Sequence, residues 1–209
     1  MFHKIKTYFT HEDKKLRDDR WIFLSMLIGA LLSLLAAFVL SVEAIELARN
    51  PNAVLSCTVS IVLNCATVAK TWQANLFGFP NSFFGMIAEP IVITVAIAGL
   101  AGVAFPRKFM LAAEFFYTIG MLFALWLFYE SFFVIQALCP WCLLVTATTL
   151  FVWFAISRYN IREENLYLPA HVSRKLQSWV EKDYDKLVLF AIVALLGSAI
   201  IVKYGSSLF

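Results

Sequence analysis

The chain has 209 residues, 61% of them hydrophobic and only 15% charged, with a net charge of +3. Charged residues make up about 25% of ordinary soluble domains, so this composition, with a mean hydropathy of +0.78, excludes one. One membrane domain is expected, without low-complexity tracts or internal repeats and with no nucleic-acid partner; the net charge says little by itself, and its distribution says more.

Five membrane spans can be read in chain order, at 21–42, 79–104, 109–135, 139–157 and 187–203. Each is close to the about 20 residues that a helix needs to cross a bilayer. A basic segment, 1–20, precedes the first span, as it would in a signal peptide. The apolar run, however, exceeds the roughly 7–15 residues of a signal, and no small-residue cleavage site follows. The first span is therefore read as a retained helix. A polar loop, 43–77, separates it from the second span. A linker, 158–186, separates the fourth from the fifth, which ends in a short tail within 187–209. In that linker Val172, Leu176, Trp179 and Val180 recur at helical spacing among basic residues. Such a helix lies along a membrane surface, although a plain connecting helix would read the same way.

Orientation follows from lysine and arginine, which favour cytoplasmic segments. Lys4, Lys6, Lys14, Lys15, Arg17 and Arg20 precede the first span; Arg107 and Lys108 lie between the second and third. Arg158, Arg162, Arg174, Lys175, Lys182 and Lys186 fill the linker, whereas the other face carries only Arg49, Lys70 and Lys203. The N-terminus is thus expected inside, and all four cysteines outside, where disulfides persist.

The cysteines carry the chemistry. Cys139-Pro140-Trp141-Cys142 opens the fourth span, and Cys57 and Cys65 lie in the loop, eight residues apart. Pro140 suits the first helical position, where its missing N–H needs no partner. Cys139 then caps the helix, and Cys142 lies about 4.5 Å deeper along the axis. The helix N-terminus favours a thiolate. Cys139 should exchange disulfides with protein thiols at the aqueous edge, and Cys142 should meet a lipid-soluble carrier such as a quinone. A static structural disulfide is the alternative for each pair, though short Cys-x-x-Cys bridges seldom serve that purpose. Four cysteines allow three connectivities. A four-thiolate zinc site is disfavoured, because extracytoplasmic thiols oxidise and there is no second Cys-x-x-Cys. His3, His11 and His171 all fall in segments read as cytoplasmic, which removes cysteine–histidine hydrolysis from consideration.

Taken together, Cys57 and Cys65, the run Pro80-Asn81-Ser82-Phe83-Phe84-Gly85, and Phe132-Phe133-Val134 before Cys139-Pro140-Trp141-Cys142 resemble the vitamin K epoxide reductase family, including its bacterial homologues. The resemblance spans roughly 21–157. It implies an all-α integral membrane protein, with a four-helix bundle core around a quinone site and a fifth transmembrane helix added. It also implies that Cys57 and Cys65 shuttle electrons, that Cys139 relays them, and that Cys142 faces the quinone. Asn81 matches the family asparagine that hydrogen-bonds the quinone carbonyl; an amide in a span is costly to bury unpaired and can donate to such an oxygen. The quinone would be of menaquinone, ubiquinone or vitamin K type. Vertebrate members carry a tyrosine one turn after the Cys-x-x-Cys pair, where this chain has Thr146, a departure that points to quinone in preference to epoxide. Some bacterial relatives continue from a fifth span into a thioredoxin-like domain. Here the chain ends at Phe209, so the thiol partner is expected to be a separate extracytoplasmic thioredoxin-like protein of the DsbA kind.

Carboxylates within spans are functional suspects. Glu89 lies near the middle of the second span, two turns below Asn81 on a similar face. It either supplies protons to a reduced quinone or is simply protonated and hydrogen-bonded. Snorkelling should accommodate Glu114, and interfacial solvation Glu130. Lys70 is read as an exposed lysine near Cys65 without a specific role.

The expected activity is a thiol:quinone oxidoreductase of the plasma or inner membrane that supports disulfide formation. A vitamin K cycle enzyme is the alternative within the class. Outside it stands a transporter or membrane scaffold with structural disulfides.

Overall fold

The computed structural model describes residues 13–58, 60 and 62–208, excepting the side chains of 206–208; Lys4, Lys6, His3 and His11 lie outside the described residues. Asp13 opens the first helix, its carboxylate accepting from the Lys15 and Leu16 amides. The α-helices in chain order are α1 (Lys14–Arg49), α2 (Cys65–Ala69), α3 (Ser82–Leu100), α4 (Arg107–Tyr129), α5 (Pro140–Arg162), α6 (Ala170–Glu181) and α7 (Tyr184–Leu208). A 3₁₀ turn, Gln73–Asn75, lies in the loop, and α4 runs on through a π-helical turn, Glu130–Ile135. Helices α1, α3, α4 with its π turn, α5 and α7 are long and apolar enough to cross a membrane. The chain is an all-α, multi-pass membrane protein with its spans in the expected order.

The first helix is longer than its expected span. It continues to Arg49 because Glu43-Ala-Ile-Glu-Leu-Ala-Arg are mostly good helix formers. It stops at Asn50, which precedes Pro51 and so adopts an extended backbone. This extension carries Glu43 beneath the cysteine loop.

Helices α1, α3, α4 and α5 form the core. At one end Phe23, Met26, Ala96, Met110, Val152 and Tyr159 pack together. Small residues let the helices approach closely: a Cβ on Gly29 would stand 2.6 Å from Val152, and one on Gly85 2.7 Å from Ala37. Phe116, Phe190 and Val202 point outward and stay exposed, as suits side chains facing lipid.

The basic segments gather at this same end. Lys15 pairs with Glu163 at 2.8 Å and Arg162 with Asp19 at 3.0 Å. Arg158 reaches Asp185 at 2.7 Å and Asp183 at 2.8 Å, and Arg107 donates to the Glu164 carbonyl while covering the Tyr167 ring. Glu114 departs from expectation. It does not snorkel outward but turns into the bundle, accepting from Ser157 Oγ at 2.5 Å and Asn160 Nδ2 at 2.9 Å, because α5 offers two polar partners there.

The cysteines occupy the opposite end, where α7 braces the π turn. Lys203 Nζ and Tyr204 Oη donate to the Phe132 carbonyl at 2.5 Å and 2.8 Å.

Candidate active site

Two backbone hydrogen bonds dock the cysteine loop. Leu138 N donates to the Val62 carbonyl at 2.7 Å, and Asn64 N donates to the Leu138 carbonyl at 3.0 Å. They form an isolated parallel bridge between Leu63 and Leu138. Cys139 follows Leu138 directly and Cys65 lies two residues beyond Leu63, so the bridge sets Cys65 beside Cys139. Each of these cysteines also stands at a helix start. Asn64 caps α2 by accepting from Thr67 N, and Cys139 caps α5, its Sγ accepting from Cys142 N at 3.4 Å. Pro140 holds the first helical position, as read from the sequence.

The sulfurs form a continuous line. Cys57 and Cys65 are disulfide-bonded, with Cα atoms 5.7 Å apart. Cys65 Sγ lies 3.0 Å from Cys139 Sγ, and Cys139 and Cys142 are free thiols. The sulfurs of Cys57, Cys65 and Cys139 all fall within 4.8 Å of one another and are buried. Thiolate attack on a neighbouring disulfide sulfur is the exchange such a line performs.

Cys142 opens onto a cavity of about 610 Å³, within the range of sites for small organic ligands. All four core helices line it, and Val68, Gln73 and Ala74 of the loop line its cysteine end. The lining is overwhelmingly apolar, with a few polar groups. Thr146 is one, its Oγ1 bonded to the Cys142 carbonyl at 3.0 Å. Asn81 is another. Its Nδ2 donates to the Gln73 carbonyl at 2.6 Å and its Oδ1 accepts from Leu76 N at 3.3 Å. An amide nitrogen has two hydrogens, so Asn81 retains one donor beyond the loop contact. Glu89 is the third. It is buried, its Oε1 accepts from Ser33 Oγ at 2.9 Å, and its Oε2 has no hydrogen-bond partner of good geometry, with the Tyr117 hydroxyl beside it. Pro90 follows at once and breaks the helical ladder there. An apolar chamber with a free thiol and unsatisfied polar atoms on its wall suits a flat, lipid-soluble ring with carbonyl oxygens.

Helices α3 and α4 make little direct contact, and the cavity fills the space between them. Phe84 and Ile91 on one side and Phe109, Phe116 and Gly120 on the other border this slot. A long apolar tail could leave the chamber there into lipid.

Sequence reasoning missed Glu43. This buried acid accepts from Ser56 Oγ at 2.5 Å and lies 3.3 Å from Cys57 Sγ. Its only signal was an acid just past an apolar run, which reads as interfacial. Glu130, expected to be merely solvated, accepts from Gln73 Nε2 at 3.0 Å. Lys70 donates to the Pro51 carbonyl at 2.6 Å and so ties the loop to itself.

A sequence profile of the vitamin K epoxide reductase family matches residues 24–157, a stretch that takes in all four cysteines, Asn81 and Glu89. No curated protein matches the chain.

Proposed function

Since the chain belongs to the vitamin K epoxide reductase family, we propose that it is a membrane thiol:quinone oxidoreductase that oxidises an extracytoplasmic thioredoxin-like protein. The observation that carries this reading is the unbroken path of sulfurs, Cys57–Cys65 to Cys139 at 3.0 Å, ending at Cys142 on the wall of an apolar chamber. A reduced partner opens the Cys57–Cys65 disulfide. The Cys65 thiolate attacks Cys139 of an oxidised inner pair, and Cys142 leaves as a thiolate facing the chamber. The bound quinone supplies the two-electron acceptor. Asn81 offers its second amide hydrogen to a carbonyl, a donor placed where negative charge develops. Glu89, whose Oε2 has only the poorly aligned Tyr117 hydroxyl beside it, is suited to hold a proton near the ring. Thr146 in place of a tyrosine favours quinone over epoxide.

Orientation enters by the charge argument. The ion-paired basic end is cytoplasmic, α6 lies along the inner surface of a plasma or inner membrane, and the cysteine end faces outward. There the protein would oxidise partners that introduce disulfides into secreted proteins.

The test uses purified protein in detergent, given quinone and either a small dithiol or a reduced thioredoxin-like protein. Loss of the quinone absorbance with both reductants is expected. Absence of quinone reduction with either one would return the cysteines to a structural role.

A further inference from the structure

The last turns of α1 place a carboxylate against the loop disulfide. Glu43 is 6% exposed, and Cys57 Sγ lies 3.3 Å from its Oε2 and 3.7 Å from its Oε1. Oε1 also accepts from Ser56 Oγ. Among the described residues no lysine or arginine pairs with it; Lys70 is turned to the Pro51 carbonyl. The other titratable groups in this pocket are cysteines, Cys139 and Cys142 from α5.

Burying a carboxylate on one serine hydroxyl is costly. A sulfur locked in a disulfide has no proton to give it, whereas the same sulfur as a thiol does. The contact therefore acquires bonding value only when the loop is reduced. We propose that Glu43 is a catalytic residue, the proton acceptor and donor of Cys57, an inference that rests on the sulfur relay proposed above.

The step balances as follows. Once Cys65 has attacked Cys139, a Cys65–Cys139 mixed disulfide stands beside the Cys57 thiol. Glu43 takes the Cys57 proton, and the Cys57 thiolate attacks Cys65 Sγ. The Cys57–Cys65 bond forms, the Cys65–Cys139 bond breaks, and the electron pair leaves on Cys139 as a thiolate. Two electrons have then passed from the loop to the inner pair, and one proton rests on Glu43. Whichever loop sulfur the next partner attacks, Cys57 is eventually released as a thiolate and takes that proton back. Without the carboxylate, Cys57 must ionise unaided. A free thiol has a pKa near about 8.5, and apolar burial raises it.

The experiment compares full-length wild type, Glu43→Gln, Glu43→Asp and Cys57→Ser in detergent, with quinone and a reduced thioredoxin-like protein. Mixed disulfides are counted by mass spectrometry after acid quench and alkylation. Cys57→Ser should trap the Cys65–Cys139 species and so establish the relay. Glu43→Gln, which keeps its size and a hydrogen bond to Ser56, should lose turnover by about a hundredfold at pH 7 and accumulate the same species. Raising the pH to 9 should recover the glutamine variant by about tenfold per unit while wild type changes little, and Glu43→Asp should recover part of the rate at pH 7. Trapping in Cys57→Ser but wild-type turnover in Glu43→Gln would sink the inference alone. So would a Glu43→Gln loss that pH leaves unchanged and aspartate fails to relieve, since a structural prop behaves that way. No trapping in Cys57→Ser would remove the relay, and the inference with it.

Discussion

Replacing Asn81 with alanine separates two tasks that one amide performs. Its Nδ2 holds the Gln73 carbonyl at 2.6 Å and its Oδ1 holds Leu76 N at 3.3 Å. Gln73 is buried, so its carbonyl would be left unsatisfied, at about 1–3 kcal/mol. The Asn81 backbone bond to the Ala74 carbonyl, at 2.9 Å, survives the substitution and keeps the chain path. The melting temperature in detergent should therefore fall by a few degrees. The proposed quinone contact is lost as well, and a missing donor to a carbonyl of about 1–3 kcal/mol raises the quinone KM by roughly 5- to 150-fold. Asn81→Asp sharpens the comparison, because it keeps the acceptor for Leu76 N but has no N–H to give. Quinone titrations followed by absorbance, with thermal unfolding on the same samples, provide both readings. A lowered melting temperature with a wild-type quinone KM in both variants would refute the donor role and leave Asn81 as a loop clamp.

Cys65→Ala should stop electron flow from a protein partner but spare quinone reduction by a small dithiol, which can reach the inner pair directly; equal loss of both activities would deny the loop its shuttle role. Cys139→Ala, given quinone, should show a new visible absorption band, because Cys142 is left as an unresolved thiol on the chamber wall. The band should be missing from Cys139→Ala/Cys142→Ala, and its appearance in Cys142→Ala instead would reverse the two assignments. Gly120 lines the slot and has open space around its Cβ position, so Gly120→Trp should fold, yet raise the KM for a long-tailed quinone far more than for a tailless one. Equal effects on the two would mean that the tail leaves elsewhere. Membrane-impermeant maleimide should label the mildly reduced cysteines in intact cells, and labelling only after lysis would invert the topology.

What was legible in the sequence was set by local rules. The cap at Cys139 and Pro140 at the first helical position follow from one turn of helix and stand as read. Cys139, expected at the aqueous edge, is instead buried beneath the docked loop, and Cys142 is the less buried of the two. The five spans follow from apolar length. The rest depends on partners far away in the chain. Glu43 needs Ser56 and Cys57 folded back over it, and α1 reaches it only because the helix outruns its apolar stretch. Glu114 turns inward because Ser157 and Asn160 come from another helix. The contact of Cys65 with Cys139 depends on the Leu63–Leu138 bridge, which no periodicity announces. Before folding, only the family resemblance joined those two cysteines.

That bridge also bears on how a relay with buried sulfurs serves a folded partner. Cys57 and Cys65 are nearly inaccessible as docked, so the loop must move before another protein can reach them. Three hydrogen bonds moor it, two to Leu138 and one from Ser56 to Glu43; a net neutral bond is worth about 0.5–1.5 kcal/mol and one to a charged group about 1.5–3 kcal/mol. Bonds that close the loop on itself are untouched by undocking: Lys70 to Pro51, Ser60 N to Leu63, and Thr58 N to Leu55. The loop can therefore leave as a unit with its disulfide in place, at a cost of about 2.5–6 kcal/mol together with the apolar contacts of Leu55 and Val68, which a partner's surface can replace. Glu43 remains behind on α1. In the proposed role, separation from Glu43 leaves the Cys57 thiol without its acceptor, so Cys57 attacks Cys65 only while the loop is docked. On this proposal docking does more than shorten the sulfur-to-sulfur distance: it brings the base and the electrophile to Cys57 together, and electrons pass from the loop to Cys139 only when both are in place.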